Sequence, residues 1–194
     1  PSAESDLAAL RDQVMPCTQS SLHEGRNRTV FGAGSPRSNV LFIGEAHGRD
    51  EDLQGEPFVG ASGQLLTKII AALGFSREDV YICNILKCRP PNNRDPLPAE
   101  VACCEPYLQR QLEIIRPRVI CCLGRVAAQT LLKTQASLRS LRETAHFYQG
   151  IPVMATYHPA ALLRNPGWKR DTWNDVRKLR ALHDALLAGA GEDA

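Results

Sequence analysis

Four short runs of apolar residues set the rhythm of this chain: Asn39–Ile43, Asp79–Ile85, Arg118–Leu123 and Pro152–Thr156. None alternates strictly between apolar and polar positions, which is the pattern of strands covered on both faces of a sheet. Between and after them, apolar residues recur at helical spacing over Ser62–Leu73, Pro98–Ile115, Val126–Lys133 and Lys169–Leu187. A shorter helical stretch, Asp6–Val14, opens the chain, and a loop with Cys17, His23, Gly25, Gly32 and Gly34 follows it to Arg37. Strands alternating with helices predict an α/β fold: three layers, with an open, mainly parallel sheet of about four strands flanked by helices. No internal repeat interrupts the pattern. Residues 1–194 read as one domain, with 1–37 as an N-terminal helix and appended segment.

In open parallel sheets ligands bind outside the carboxyl ends of the strands. Here those ends carry Gly44-Glu45-Ala46-His47-Gly48, then Asn84, then Gly124-Arg125, then Tyr157-His158-Pro159. A carboxylate, an amide, a glycine turn and an imidazole therefore converge on one rim. The stretch Gly44–Gly60 adds Glu51, Asp52, Pro57 and Phe58, and its glycines permit close backbone approach to a ligand. A phosphate-cradling turn for a nucleotide is a competing reading of that stretch. Neither a P-loop nor a dinucleotide fingerprint is present to support it.

Composition narrows the partners. The chain has 43% hydrophobic and 23% charged residues, ordinary for a globular protein. Its formal net charge is only +2, so a nucleic-acid surface has to come from local clustering of basic residues. No apolar run reaches membrane-spanning length, and Pro1–Leu10 has neither a basic start nor an apolar stretch of the signal-peptide kind. The chain is expected to be cytoplasmic. Its seven cysteines are an odd number in a chain long enough to hold a core, which argues against a disulfide framework. Cys88 directly follows a predicted strand, Cys104 lies in a predicted helix, and Cys17 sits near the end of the first helix. Thiolates suit iron–sulfur clusters or zinc, but no Cys-x-x-Cys pair is present, so scattered core thiols remain an equal reading. Cys121 and Cys122 fall inside an apolar strand and read as core.

Four ordered segments carry a more specific signal. The run GEAHGRDEDLQGEPFVGASGQLL resembles the first motif of family 4 uracil-DNA glycosylases, which usually begins GEAPG and continues to PFVG. YICNILKCRPPNNRDPLP resembles their second block, TYHPAALLRNP their last motif, and CTQSSLHEGRNRTVFGAG their N-terminal cluster segment. Together the matches span roughly residues 17 to 180. The resemblance implies a uracil-DNA glycosylase-like fold and a DNA repair enzyme, a monomer without membrane attachment. Such an enzyme flips uracil out of DNA and hydrolyses its N-glycosidic bond, leaving an abasic site. Carried over by position, Phe58 stacks on the flipped base, Asn84 reads its edge through an amide, and His158 donates to the uracil oxygen where charge develops. Glu45 positions or activates water, or stabilises the sugar cation, while Gly44, Ala46, His47 and Gly48 shape the same wall. Leu162 and Leu163 are candidates to wedge into the gap left by the base, with Arg164, Lys169 and Arg170 as phosphate contacts. The family also implies a structural 4Fe-4S cluster held by cysteines, here Cys17, Cys88 and Cys104.

Two departures bear on these expectations. Ser20 stands where the family has the second cysteine of its N-terminal pair. This leaves three outcomes open: ligation by the Ser20 oxygen, three thiolates with an outside ligand, or a lost or labile cluster. Cys103 adjoins Cys104, but successive helical residues point in different directions, which argues against its substituting. His47 stands where the family has proline, bringing a titratable nucleophile to the pocket that suits pH tuning, a phosphate contact or covalent capture of the sugar. Ala46 also occupies a position where other branches of the superfamily place a catalytic aspartate. The alternatives are accordingly a non-catalytic or covalently trapping nucleic-acid-binding member of the same superfamily, or a nucleotide-binding enzyme using the Gly44–Gly60 turn.

Overall fold

The computed structural model describes residues 1–192; the expected domain 1–194 reaches two residues past them. The chain runs through α1 (Ala3–Val14), a 3₁₀ turn (Ser21–Glu24), β1 (Ala33–Gly34), β2 (Val40–Gly44), α2 (Arg49–Gln54), α3 (Ala61–Ala72) and β3 (Tyr81–Asn84). It continues through α4 (Pro98–Ile115), β4 (Val119–Leu123), α5 (Arg125–Leu132), α6 (Leu138–Glu143), β5 (His146–Tyr148), β6 (Ile151–Thr156), α7 (Pro159–Arg164) and α8 (Lys169–Glu192). The sheet order is β1-β3-β2-β4-β6-β5. The central four strands are parallel. β1 and β5 are antiparallel edges.

The mainly parallel α/β sheet is as expected, but it has six strands rather than about four. The extra two span two and three residues, too short to show any periodicity. The β5–β6 hairpin turns on Gln149 and Gly150, both with positive φ (47° and 81°). Two such residues make the tight turn that suits strand twist, and glutamine at its first position hides the usual Asn-Gly signal.

Successive strand residues point to opposite faces, and both faces are covered. Leu41, Ile43, Tyr81, Cys83, Ile120 and Cys122 pack with Leu10 of α1 and Leu108 of α4. Val40, Phe42, Ile82, Val119, Cys121 and Leu123 pack with Leu66 and Ile70 of α3 and with Val176 and Leu179 of α8. That two-sided burial is why the strands read as continuous apolar runs. It also accounts for Cys121 and Cys122, which fill opposite sides of the core. After β2 the chain places β3 on one side and β4 on the other, so the order reverses between β2 and β4. A crevice is expected at the carboxyl ends there.

Candidate active site

A cavity of about 370 Å³ opens at that point. Its volume lies within the range of roughly 300–1,000 Å³ common for small-ligand pockets. Glu45, Ala46, His47, Gly48, Phe58, Asn84, His158 and Arg164 all line it. The ends of β2, β3 and β6 thus bring Glu45–Gly48, Asn84 and His158 together, with Gly44 just behind them, while the β4 end, Gly124-Arg125, does not line the cavity. A Cβ on Gly44 would sit 2.3 Å from Asn84 Oδ1 and 2.7 Å from Phe58 Cζ, so only glycine lets both side chains approach β2.

Phe58 adopts a left-handed backbone with φ 52°, a strained choice for an aromatic residue. Its surroundings enforce it. Arg77 donates to the carbonyls of Pro57 (2.7 Å) and Phe58 (2.9 Å). Buried Glu51 accepts from the backbone N–H groups of Val59 and Gly60, each at 3.1 Å. Gly63 of α3 lies so close that a Cβ would come within 1.9 Å of the Phe58 carbonyl. The ring is held facing His158, with centroids 5.5 Å apart and planes at 30°.

His158 caps the N-terminus of α7, its Nδ1 accepting the Ala160 N–H at 3.0 Å. Nδ1 is therefore an acceptor, and the proton of the neutral ring resides on Nε2. Burial, reinforced by the positive charge of Arg164, pushes its pKa down to about 4, so the ring is neutral at physiological pH. Asn84 is buried at the end of β3, and its Oδ1 has no hydrogen-bond partner. Its backbone carbonyl accepts from Lys87 Nζ at 2.8 Å; Lys87 also donates to Gln111 Oε1 at 2.7 Å. Gln111 in turn donates to Phe31 O (2.9 Å) and Tyr81 Oη (3.2 Å). This wholly buried network fixes the strand end. Sequence reasoning missed Lys87 and Gln111, because a lysine reads as solvent-facing until its buried partners are known.

Glu45 has its pKa raised to about 7 by burial and then by the neighbouring Asp95 carboxylate, with Arg125 partly opposing. His47 is buried in the cavity wall rather than exposed at its rim, and both ring nitrogens lack partners. The nearest carboxylate oxygen, Asp52 Oδ1, is 3.8 Å from Nε2 and already accepts from Asn27 and Arg28. Burial holds the His47 pKa down at about 4. Of the two wedge candidates, Leu162 is 1% exposed and belongs to the core, while Leu163 is 48% exposed. Burial of Leu162 corrects the expectation that both enter the DNA. Arg164, Lys169 and Arg170 are exposed.

The wall behind Ala46 is sulfur. Buried Cys88 and Cys104 pack with Leu22 and Leu86, and Ala46 packs against them. Arg26 Nη1 donates to Cys88 Sγ, and Tyr107 Oη to Cys17 Sγ, each at 3.2 Å. Arg26 also donates to the Cys17 carbonyl at 2.5 Å. Among the described residues no three His, Cys, Asp or Glu side chains are grouped to share one metal ion. A cluster sets a different requirement, because each cysteine binds its own iron. Three thiols from separate segments, met by hydrogen-bond donors of the kind that tune clusters, fit that group.

The model of the uracil DNA glycosylase superfamily matches residues 31–177. A protein of Archaeoglobus fulgidus named type-4 uracil-DNA glycosylase is 47% identical over 178 residues, covering 88% of this chain and 89% of the relative. One of the same name from Saccharolobus solfataricus is 44% identical, covering 96% and 94%. A third, from Sulfurisphaera tokodaii, is 40% identical, covering 91% and 84%.

Proposed function

The chain belongs to the type-4 branch of the uracil-DNA glycosylase superfamily, and from that membership we propose that it excises uracil from DNA by hydrolysing the N-glycosidic bond. The observation that carries this reading is a buried, unpartnered amide oxygen, Asn84 Oδ1, on the same cavity as an imidazole with its proton on Nε2. A buried acceptor without a donor is costly, and the N3–H of a flipped uracil satisfies it. The Asn84 amide N–H₂ donates to uracil O4. Cytosine presents an acceptor at N3 and a donor at N4, so both contacts reverse and the base is rejected.

Phe58 offers its ring as the stacking face. As the C1′–N1 bond breaks, the electron pair stays on uracil, and His158 Nε2–H donates to the uracil oxygen beside N1. With its pKa near 4, the ring acts as a neutral hydrogen-bond donor that keeps its proton. Glu45, as the carboxylate, orients the water whose oxygen bonds C1′ and takes up its proton. Leu163, with Arg164 and its basic neighbours, faces the DNA.

Cys17, Cys88 and Cys104 would hold a four-iron cluster, which would tie the segment after α1 to the sheet and supply structural cohesion rather than redox chemistry. The second reading, in which His47 bonds C1′ in place of water and leaves a protein–DNA adduct, is opposed by the burial of both its ring nitrogens. Mass spectrometry after turnover distinguishes the two, since hydrolysis returns unmodified protein. The deciding assay is uracil release from a single-stranded oligonucleotide. Asn84→Ala and His158→Ala are each expected to lower turnover at least about a hundredfold, the loss of one transition-state donor. Wild-type rates in both variants remove the site assignment.

A further inference from the structure

We propose that Cys103, not Ser20, supplies the fourth thiolate of the cluster; the inference rests on the reading that a cluster is bound at Cys17, Cys88 and Cys104. Helix geometry supports Cys103 once the position of Tyr107 is known. Long side chains on a helix point back toward its N-terminus, over the residues three and four positions earlier. For Tyr107 those residues are Cys104 and Cys103. The Tyr107 hydroxyl meets Cys17 Sγ at 3.2 Å, so the face of α4 directed at Cys17 carries both cysteines. Neighbouring helical positions diverge, but here the target lies between them.

Direct contact adds to this. Cys103 is half-buried, and its Sγ lies 3.6 Å from the carbonyl of Gln19, midway along the Cys17–Ser20 segment. It therefore stands beside the site where the family's missing thiol belongs. Pro106 lies within α4 and has no N–H to offer the Ala102 carbonyl, which loosens the helix at the turn that presents Cys103. Ser20 offers a weaker alternative. Its hydroxyl caps nothing in the turn it precedes, and its carbonyl already faces His23 Nδ1 at 2.7 Å. A hydroxyl is a hard donor that keeps its proton, whereas iron–sulfur clusters select soft thiolates. Cys103 would hold the group as a thiolate, its proton passing to solvent, in place of the cysteine that Ser20 replaces.

The test uses the full chain, purified and reconstituted without oxygen, as wild type, Ser20→Ala, Cys103→Ser and Cys103→Ser/Ser20→Cys. Iron and acid-labile sulfide are measured per chain, with electron paramagnetic resonance of the oxidised and reduced forms. Mass-mapped alkylation of Cys103 is followed before and after iron removal. Wild type and Ser20→Ala are expected to hold about four irons. Cys103→Ser is expected to lose about one iron and show a three-iron signal, or to lose the cluster. The double variant, with the thiol moved back to position 20, is expected to regain four irons. Cys103 is expected to resist alkylation until iron is removed. Full iron in Cys103→Ser with loss in Ser20→Ala overturns the proposal, as does full iron in both. An iron-free wild type beside a Cys103→Ser/Ser20→Cys variant that binds a cluster also overturns it, while leaving the other three ligands standing. Absence of iron from every variant overturns the cluster reading itself. Should Cys103→Ser fail to fold, the alkylation pattern of the wild type still decides.

Discussion

Asn84 and Cys88 are four residues apart on one strand exit, yet the walls they belong to are held by different means. On the Asn84 side the protein supplies everything. Lys87 and Gln111 fix the strand end, Arg77 and Glu51 clamp the Phe58 turn, and Ala160 sets the proton of His158. On the Cys88 side, burial raises the Cys88 and Cys104 thiols, the latter to about 11. Arg26 and Tyr107 are the side chains that donate to the cysteine sulfurs there. One wall is pre-organised by hydrogen bonds within the polypeptide; the other is packed sulfur, the proposed seat of the cluster. Pre-organised donors stabilise a transition state without moving, whereas a structural cluster contributes folding free energy.

The sharpest way to break the first wall is a methyl group. Gly44→Ala places a Cβ against Asn84 Oδ1 and the Phe58 ring at distances real Cβ atoms do not reach. Uracil release is expected to fall at least about a hundredfold, with about 1–3 kcal/mol of overpacking cost in a denaturant melt. A near-normal rate means that the pocket tolerates repositioning of both side chains. Removing the cluster attacks the second wall instead. Chelation is expected to make the segment around residues 17–26 sensitive to limited proteolysis and to lower Tm by several degrees, while base release stays within about tenfold of the loaded enzyme. A collapse of activity equal to that of Gly44→Ala would make the two walls one cooperative unit.

A finer probe is the pH profile. Burial raises the pKa of Glu45 to about 7, so the carboxylate proposed to orient water is lost as pH falls below that value. His158 stays neutral down to about 4 and adds nothing in this window. The rate is expected to rise roughly tenfold from pH 6 to pH 8 in the wild type and to be flat, and lower, in Glu45→Gln. An unchanged limb in the variant assigns the titration elsewhere.

The difference between the walls also explains what the sequence disclosed. The four parallel strands were legible because burial on both faces leaves unbroken apolar runs, and their carboxyl ends named Glu45, Asn84 and His158. α4 begins and ends at its expected residues, Pro98 and Ile115, because proline opens it and a long apolar stripe follows. Edge strands of two or three residues carry no period. Nor does the six-residue α7, which is too short to tell buried Leu162 from exposed Leu163. Lys87 was illegible for another reason. A lysine reads as solvent-facing, and only the buried Gln111, 24 residues away, joins the nearby Asn84 carbonyl to make an interior site for it. The proposal for Cys103 draws on the contact between Tyr107 and Cys17, 90 residues apart, which no spacing in the sequence discloses.

The smallest expected effect concerns His47, the misfit within the pre-organised wall. Its ring is buried with both nitrogens unpartnered, and replacing such a group by an apolar one of similar size is close to neutral or stabilising. The acid side is more telling. The folded-state pKa of His47 lies near 4, below its ordinary value of 6.5. Between those values the unfolded chain binds a proton that the folded chain refuses, so stability falls as pH drops from 6.5 to 4. His158 contributes in the same direction. Glu45, raised to about 7, holds an extra proton in the fold between 4.5 and 7 and partly offsets both. His47→Leu is therefore expected to leave Tm at pH 7.5 within a few degrees of wild type and to shallow, without abolishing, the loss of Tm between pH 6.5 and pH 4. An acid slope identical to wild type means that the imidazole finds a proton donor or acceptor inside the cavity, and a water bridging His47 to Asp52 is the first place to look for it.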